Sequence, residues 1–298
     1  MSVHKHGYAP YTGPRTPARG RFLVLARFAV MELLQARMLV TFLLLCSAPF
    51  LVESVLVYVS HNPAARALLG GIPILTVDAA FFLRCLTIQG FLAFVLAAWV
   101  GPGLVAPDLA NGALPLILSR PLSRAEYVLG KMAVLFGLLS LVTWVPNLIV
   151  FGLQAGLEEG WLFANLRIAG AIFLGAWIWI LVLSLLALAL SAWMRRRVAA
   201  ALLMFGVFFI GQAMGEIWRN VLLNPWGRVL NLLYMVGLVW YDLFGLPPRP
   251  VFRGRADRGI SLENGELPVA AAWIALTAVC LLCLWLLNRR VRAKEVVR

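Results

Sequence analysis

The sequence predicts an all-α, polytopic membrane protein, and three observations support this class. Hydrophobic residues make up 62% of the 298 residues and charged residues only 13%, whereas soluble domains are about half apolar and a quarter charged. Six apolar segments are each close to the roughly 20 residues that a helix needs to cross a bilayer. Basic residues lie mostly in the short segments between them. We therefore expect a single membrane domain.

The six predicted spans divide the chain into three parts. The spans cover residues 38–60, 85–106, 128–153, 168–194, 198–215 and 267–287. Residues 1–37 are predicted to be a cytoplasmic tail and an interfacial helix, 38–287 the six-span domain, and 288–298 a second cytoplasmic tail. Residues 20–37 mix basic and apolar side chains, which suits a helix on the inner membrane surface. Alternatively, this stretch only extends the first span into the cytoplasm.

Basic residues set the predicted orientation, because Lys and Arg concentrate on the cytoplasmic side of membrane proteins. With the N-terminus inside, 17 of the 26 Lys and Arg residues lie in the two tails and the two inner loops. Both termini are therefore expected in the cytoplasm. The net charge of +13 has the same origin, so we expect no nucleic-acid partner.

One further apolar stretch, residues 229–246, is almost long enough to span. If it spanned, the basic C-terminal tail would move outside, against the charge distribution. We therefore predict an interfacial or re-entrant helix on the outer side. It would belong to a long outer segment, 216–266, that holds short helices between spans five and six. A spanning helix is the alternative.

The inner loop between spans two and three, residues 106–127, carries the most specific pattern. Ser123 followed by Glu126 forms a capping box before an apolar run, so the third span is expected to begin there. Pro121 ends any helix that precedes it. A short apolar helix is therefore predicted at about 109–118, and it must bury its apolar surface on the membrane or on a partner.

This loop resembles the permease subunits of ABC-2 type ATP-binding cassette transporters. The resemblance consists of an acidic residue, a Gly-Ala pair, a Leu-Ser-Arg-Pro stretch with a second Ser-Arg, and a closing Gly-Lys pair. The residues expected to couple to an ATPase are Asp108, Gly112, Leu118, Ser119, Arg120, Pro121, Ser123, Arg124, Glu126 and Lys131. Alternatively, Arg120 and Arg124 are only inside-positive anchors. The basic stretch 247–258 departs from the family pattern.

The resemblance implies that the chain is the transmembrane permease of an exporter in the bacterial cytoplasmic membrane. A separate ATPase subunit would dock on the inner loop, and the permease would pair with a second protomer, either identical or related. ATP and Mg²⁺ would bind in the ATPase subunit, and no cofactor is expected here. The sequence has no G-x-x-x-x-G-K-[ST] motif of its own. Membrane lipids would surround the spans.

Four residues within the spans are further candidates for packing or kinks. Asn147, beside Pro146, either bonds a carbonyl freed by the proline or lines a path. Gly211 and Gly215 form a G-x-x-x-G pattern that permits close helix approach within the protomer or at a dimer seam. Glu53 lies towards the far end of the first span, where a long side chain can reach the interface.

Two other functions stay open on the sequence. One is a membrane scaffold or assembly factor for an extracytoplasmic protein, without transport. The other is a membrane enzyme, although neither H-E-x-x-H nor G-x-S-x-G occurs, and we predict no catalytic residue. No metal site is predicted, because Cys280 and Cys283 lack a second ligand pair. A lipid, a hydrophobic peptide or a drug-like amphiphile would suit the apolar spans as substrate.

Overall fold

The computed structural model describes residues 20–63, 76–112, 123–194, 196–222, 225–247 and 267–290. Every regular element in these ranges is helical. Six of the helices are long and apolar enough to cross a bilayer, which confirms the predicted class. Spans 1 to 6 are Arg37–His61, Ala79–Ala110, Arg124–Leu157, Leu166–Trp193, Arg197–Trp218 and Val269–Arg290.

Each of the first three spans is broken once into two helices. The paired helices are Arg37–Cys46 and Ala48–His61, Ala79–Val100 and Pro102–Ala110, and Arg124–Val142 and Trp144–Leu157. Each break lies within three residues before a proline, namely Pro49, Pro102 or Pro146. Proline lacks the N–H that would continue the hydrogen-bond ladder and its ring crowds the preceding turn, so the breaks follow from the sequence.

A separate helix, Arg21–Gln35, precedes span 1. Ala36 leaves the helical conformation, with φ −75° and ψ 106°, so the alternative that this stretch only extends span 1 is wrong. The helix packs against the end of span 3 that the charge distribution predicts to be cytoplasmic. We call the ends of the spans on this side the inner ends and the opposite ends the outer ends. Gly130 permits the close approach, since a Cβ there would lie 3.0 Å from the backbone oxygen of Phe22. The N-terminal helix is thereby attached to the segment that follows the inner loop.

Span 4 forms the centre of the bundle. In an apolar stretch of 18 residues from span 4, 72% of the residues are buried. The corresponding share is 17% for span 1, 22% for span 5 and 17% for span 6. It packs against spans 2, 3, 5 and 6. The peripheral spans therefore present most of their apolar side chains outward, which in a bilayer is the environment that those side chains prefer.

The stretch 229–246 does not span, because it belongs to a re-entrant hairpin formed by residues 225–244. The helix of span 5 continues to Leu222, and a 3-10 turn, Pro225–Leu230, then returns alongside it. The backbone oxygen of Leu230 lies 2.7 Å from where a Cβ on Gly211 would be. Since Gly211 is eleven residues before the end of that helix, the turn reaches about 16 Å back along it.

A short helix, Leu232–Phe244, then runs outward again. Its 13 residues give a length of about 20 Å, too short for a hydrocarbon core of about 30 Å. Arg167, at the outer end of span 4, donates to the carbonyls of Asp242 and Leu243 at 3.1 and 3.2 Å. The Trp240 indole donates to the Gly175 carbonyl at 2.9 Å. The spanning alternative for this stretch is therefore wrong.

Candidate functional site at the inner ends of spans 2 and 3

Three polar side chains join the inner ends of spans 2 and 3. Asp108 lies in the last turn of span 2, and Tyr127 and Lys131 lie in the first turns of span 3. The Lys131 Nζ is 2.9 Å from the Asp108 Oδ2. The Tyr127 hydroxyl donates to the same oxygen at 2.7 Å. We call these three residues the inner clamp.

The inner clamp is largely shielded from water. The side chain of Lys131 is 11% exposed and that of Asp108 is 22% exposed, and Tyr127 is buried. The four-residue spacing of Tyr127 and Lys131 puts both on one helix face, with the ammonium 5.6 Å from the centre of the phenol ring. One carboxylate is thus held by two donors, and a cation–π contact orients the lysine.

The predicted capping box at the start of span 3 is confirmed. The Glu126 N–H donates to the Ser123 hydroxyl at 3.2 Å, and the Ser123 N–H donates to the Glu126 carboxylate at 2.6 Å. This reciprocal pair satisfies backbone donors that no helical carbonyl can reach. Arg124 is exposed in the first turn, so its guanidinium is available on the surface next to the loop.

The helix predicted over 109–118 is wrong at its beginning. Residues up to Ala110 form the last turn of span 2, and a turn at Asn111 and Gly112 follows. Gly112 has φ +65°, a left-handed conformation that favours glycine and commonly ends a helix. The remaining predicted loop residues, Leu118, Ser119, Arg120 and Pro121, lie outside the described residues.

Span 4 holds the broken inner half of span 2 in place. The Ser191 hydroxyl accepts from the Ala106 N–H at 2.9 Å and donates to the Pro102 carbonyl at 2.9 Å. In an α-helix that N–H and that carbonyl face each other across one turn, so the Ser191 hydroxyl bonds to both ends of the first turn of the helix Pro102–Ala110. At the break, a Cβ on Gly101 would lie 2.5 Å from the Ala187 Cβ. Sequence analysis did not single out Ser191, because one serine in an apolar helix carries no spacing signal.

Asn147 takes part in contacts within its own span and with a second one. Its amide donates to the Thr143 carbonyl, one turn earlier at the break, at 2.9 Å, and also to the Gln89 side-chain oxygen on span 2. Gln89 in turn donates to the Glu53 carboxyl on span 1 at 3.3 Å. Sequence reasoning missed Gln89, because an isolated glutamine in an apolar segment carries no spacing signal.

The two glycines of the G-x-x-x-G pattern face the re-entrant hairpin of the same chain. Gly211 lies against the Leu230 carbonyl, as described above. A Cβ on Gly215 would lie 3.2 Å from the Asn231 Cβ and 3.3 Å from the Gly227 carbonyl oxygen. Both small residues therefore make room for backbone within the protomer.

Comparison with known proteins agrees with this arrangement. The family model described as "ABC-2 family transporter protein" matches residues 23–233. The match covers more than half of the chain, including spans 1 to 5, the inner loop and the inner clamp. A search of curated proteins gave no match. On the extent of the family match, the chain belongs to the ABC-2 family and is a multi-pass membrane component of a transporter.

Proposed function

We propose that the chain is the permease subunit of an ATP-driven exporter. Family membership supports a permease. ATP hydrolysis is proposed to take place in a separate ATPase subunit, as the resemblance to ABC-2 permeases implies. The basic tails and inner loops support a cytoplasmic position for both termini. The proposed location is the bacterial cytoplasmic membrane.

The inner clamp is the observation that carries the proposed mechanism. Asp108 and Lys131 join the two spans at the base of the inner loop, and the Ser123 capping box fixes the residue at which span 3 begins. A force that an ATPase applies to the loop would therefore act on spans 2 and 3 together. Ser191 extends the same connection to span 4, the centre of the bundle.

The N-terminal helix adds a second contact for such a force. It packs on the inner end of span 3 through Gly130, which directly precedes Lys131 of the inner clamp. Movement of the loop would therefore also move the Arg21–Gln35 helix along the membrane surface. The breaks in spans 1 to 3 are the positions at which the outer halves of these spans can change their angle.

The largely exposed apolar faces of spans 1, 5 and 6 are proposed to contact lipid and a second permease protomer, identical or related. The apolar character of the spans favours a lipid, a hydrophobic peptide or an amphiphile as the exported substrate. Charged substrates would need compensating groups along the path.

Copurification tests this proposal. The tagged chain is extracted in mild detergent, and the proteins that accompany it are identified by mass spectrometry. We expect a soluble ATPase, and we expect Arg120→Glu/Arg124→Glu to remove it. Arg196→Glu/Arg197→Glu, the same charge change at two exposed residues of another inner loop, is the matched control.

Two results would contradict the proposal. A chain that copurifies with an extracytoplasmic protein and no ATPase would support the scaffold function instead. ATP hydrolysis by the purified single chain would place the nucleotide site in this chain.

A further inference from the structure

Spans 1, 2 and 3 meet at a buried polar cluster near the middle of the bundle. Glu53, Gln89 and Asn147 are 6%, 0% and 0% exposed. Asn147 donates to the Gln89 side-chain oxygen, and Gln89 donates to the Glu53 Oε2 at 3.3 Å. The Asn147 amide nitrogen also donates to the Thr143 carbonyl. This contact orients the amide, so that Asn147 is the donor and Gln89 the acceptor in the bond between them. We call these three residues the carboxyl cluster.

Two oxygens of the carboxyl cluster have no donor. Glu53 Oε1 and Asn147 Oδ1 are buried and form no hydrogen bond. No Lys, Arg or His in the described ranges forms an ion pair with Glu53. The Cys85 thiol on span 2 donates a hydrogen bond to the Glu53 carboxyl group, but a thiol is a weak, uncharged donor. Arg84, beside it, is exposed and donates to a carbonyl of its own helix.

An uncompensated carboxylate in this position is costly. A charged side chain in the hydrocarbon region is unfavourable unless it is compensated, and a buried acceptor without a donor also lowers stability. A single positive charge bound at the Glu53 carboxyl group neutralises it and supplies its free oxygen with a partner. The cluster contains one carboxylate, so one monovalent charge neutralises it, whereas a divalent ion would leave an excess positive charge.

We propose that Glu53, Gln89 and Asn147 form an intramembrane binding site for one monovalent cation, either a proton or a sodium ion. Both occupants neutralise the carboxylate and satisfy oxygen acceptors. The cation would also join three spans, since each span contributes one side chain. This inference does not depend on the direction of transport or on the ATPase.

A second polar group lies on the outer side of the same interface. Gln154 donates to the Glu158 carboxylate at 3.0 Å and lies 3.4 Å from the Nε2 of His61. Gln154 follows Asn147 by seven residues and His61 follows Glu53 by eight, so the two groups are about 10–12 Å apart along the helices. Glu158 is 52% exposed and Gln154 Oε1 has no partner. These residues form a second polar group between the carboxyl cluster and the outer end of the same interface.

The test combines infrared spectroscopy with thermal unfolding of the purified full chain. A bound proton predicts a carboxylic-acid C=O band at neutral pH that Glu53→Gln removes. Glu53→Asp keeps an acid and should shift the band, which guards against a variant that does not fold. Glu159→Gln changes an exposed carboxylate outside both polar groups and should leave the band unchanged. A bound sodium ion predicts instead that sodium, exchanged for choline at equal ionic strength, raises the melting temperature of the wild type and not that of Glu53→Gln.

Either result supports the site and identifies its occupant. The inference is overturned if Glu53 gives a carboxylate band at neutral pH and sodium leaves the melting temperature unchanged. That outcome would leave the proposed permease function untouched, because the loop test in the preceding subsection does not involve the carboxyl cluster.

Discussion

Removing the charge of Asp108 should open the inner clamp by a measurable amount. Asp108→Asn preserves the shape of the side chain but removes the carboxylate that holds Lys131. Hydrogen bonds to charged groups contribute about 1.5–3 kcal/mol, whereas exposed ion pairs contribute at most about 1 kcal/mol. Lys131 is only 11% exposed, and a second donor, Tyr127, shares the carboxylate oxygen. We therefore expect the closed clamp to become less stable, relative to the open clamp, by about 2 kcal/mol. The fraction of open clamp then rises about 30-fold, since each 1.4 kcal/mol is a factor of ten.

Limited trypsin cleavage at the inner loop measures this opening. Under conditions in which opening equilibrates before cleavage, the cleavage rate follows the open fraction. Asp108→Asn should therefore be cut about 30-fold faster after Arg124, because trypsin does not cleave the bond between Arg120 and Pro121. Lys131→Met should have a similar effect. In the double variant the closed clamp should lose less stability than the sum of the two single losses, because both substitutions remove the same ion pair. Glu159→Gln, at an exposed outer position, is the control. Equal cleavage of wild type and Asp108→Asn would refute the account of the clamp.

Three further substitutions test the packing that supports the site. Ser191→Ala should lower the free energy of unfolding by about 1–3 kcal/mol, because two buried backbone groups each lose a hydrogen-bond partner. Ser184→Ala removes a buried hydroxyl that has no partner and should be close to neutral. Thermal unfolding distinguishes the two variants. Gly101→Val should prevent folding or shift span 2, since its Cβ would lie 2.5 Å from the Ala187 Cβ on span 4. Gly103→Ala is the control, because a Cβ there has no atom within 4 Å. The yield of folded protein after expression compares the two variants. Arg167→Gln should speed hydrogen exchange in the re-entrant helix, because the carbonyls at its C-terminal end lose their donors, and unchanged exchange would contradict that role.

The spans were predictable because length and apolar composition constrain a membrane helix strongly. Span 4 was predicted over 168–194 and is Leu166–Trp193. The predicted start of span 2, residue 85, is six residues later than the observed start at Ala79, because Arg84 interrupts the apolar run. The arginine is exposed inside the helix, where a long side chain can reach a polar region. The actual start is capped by Asp78, whose side chain accepts from the Phe81 N–H at 2.9 Å.

The candidate site was predictable only where its chemistry is local. The capping box of Ser123 and Glu126 is a four-residue pattern and could be recognised from the sequence. The pairing of Asp108 with Lys131 joins residues that are 23 positions apart, and the family resemblance pointed to both without showing that they touch. Ser191 and Gln89 act on other spans, so no spacing within their own helices reveals them. Their roles depend on the packing of the folded bundle.

The re-entrant hairpin shows the same limit. Charge distribution excluded a spanning helix, but it did not distinguish a helix on the surface from one inserted into the bundle. The insertion depends on Gly211 and Gly215, which leave room for backbone from residues 227–231, and on Trp240, which fits against Gly175. Each of these contacts joins two segments, and only the structure shows both.

Photo-crosslinking from the inner loop tests the central claim most directly. A photoreactive amino acid is placed at position 120, and the crosslinked products from cell membranes are identified by mass spectrometry. The same substitution at Phe163, which is 80% exposed on the outer helix Trp161–Ala164, is the control. We predict a crosslink to an ATP-binding subunit from position 120 and none from position 163. A loop that crosslinks to no ATPase, in membranes that contain the folded chain, would contradict the proposal that this loop couples the permease to ATP hydrolysis.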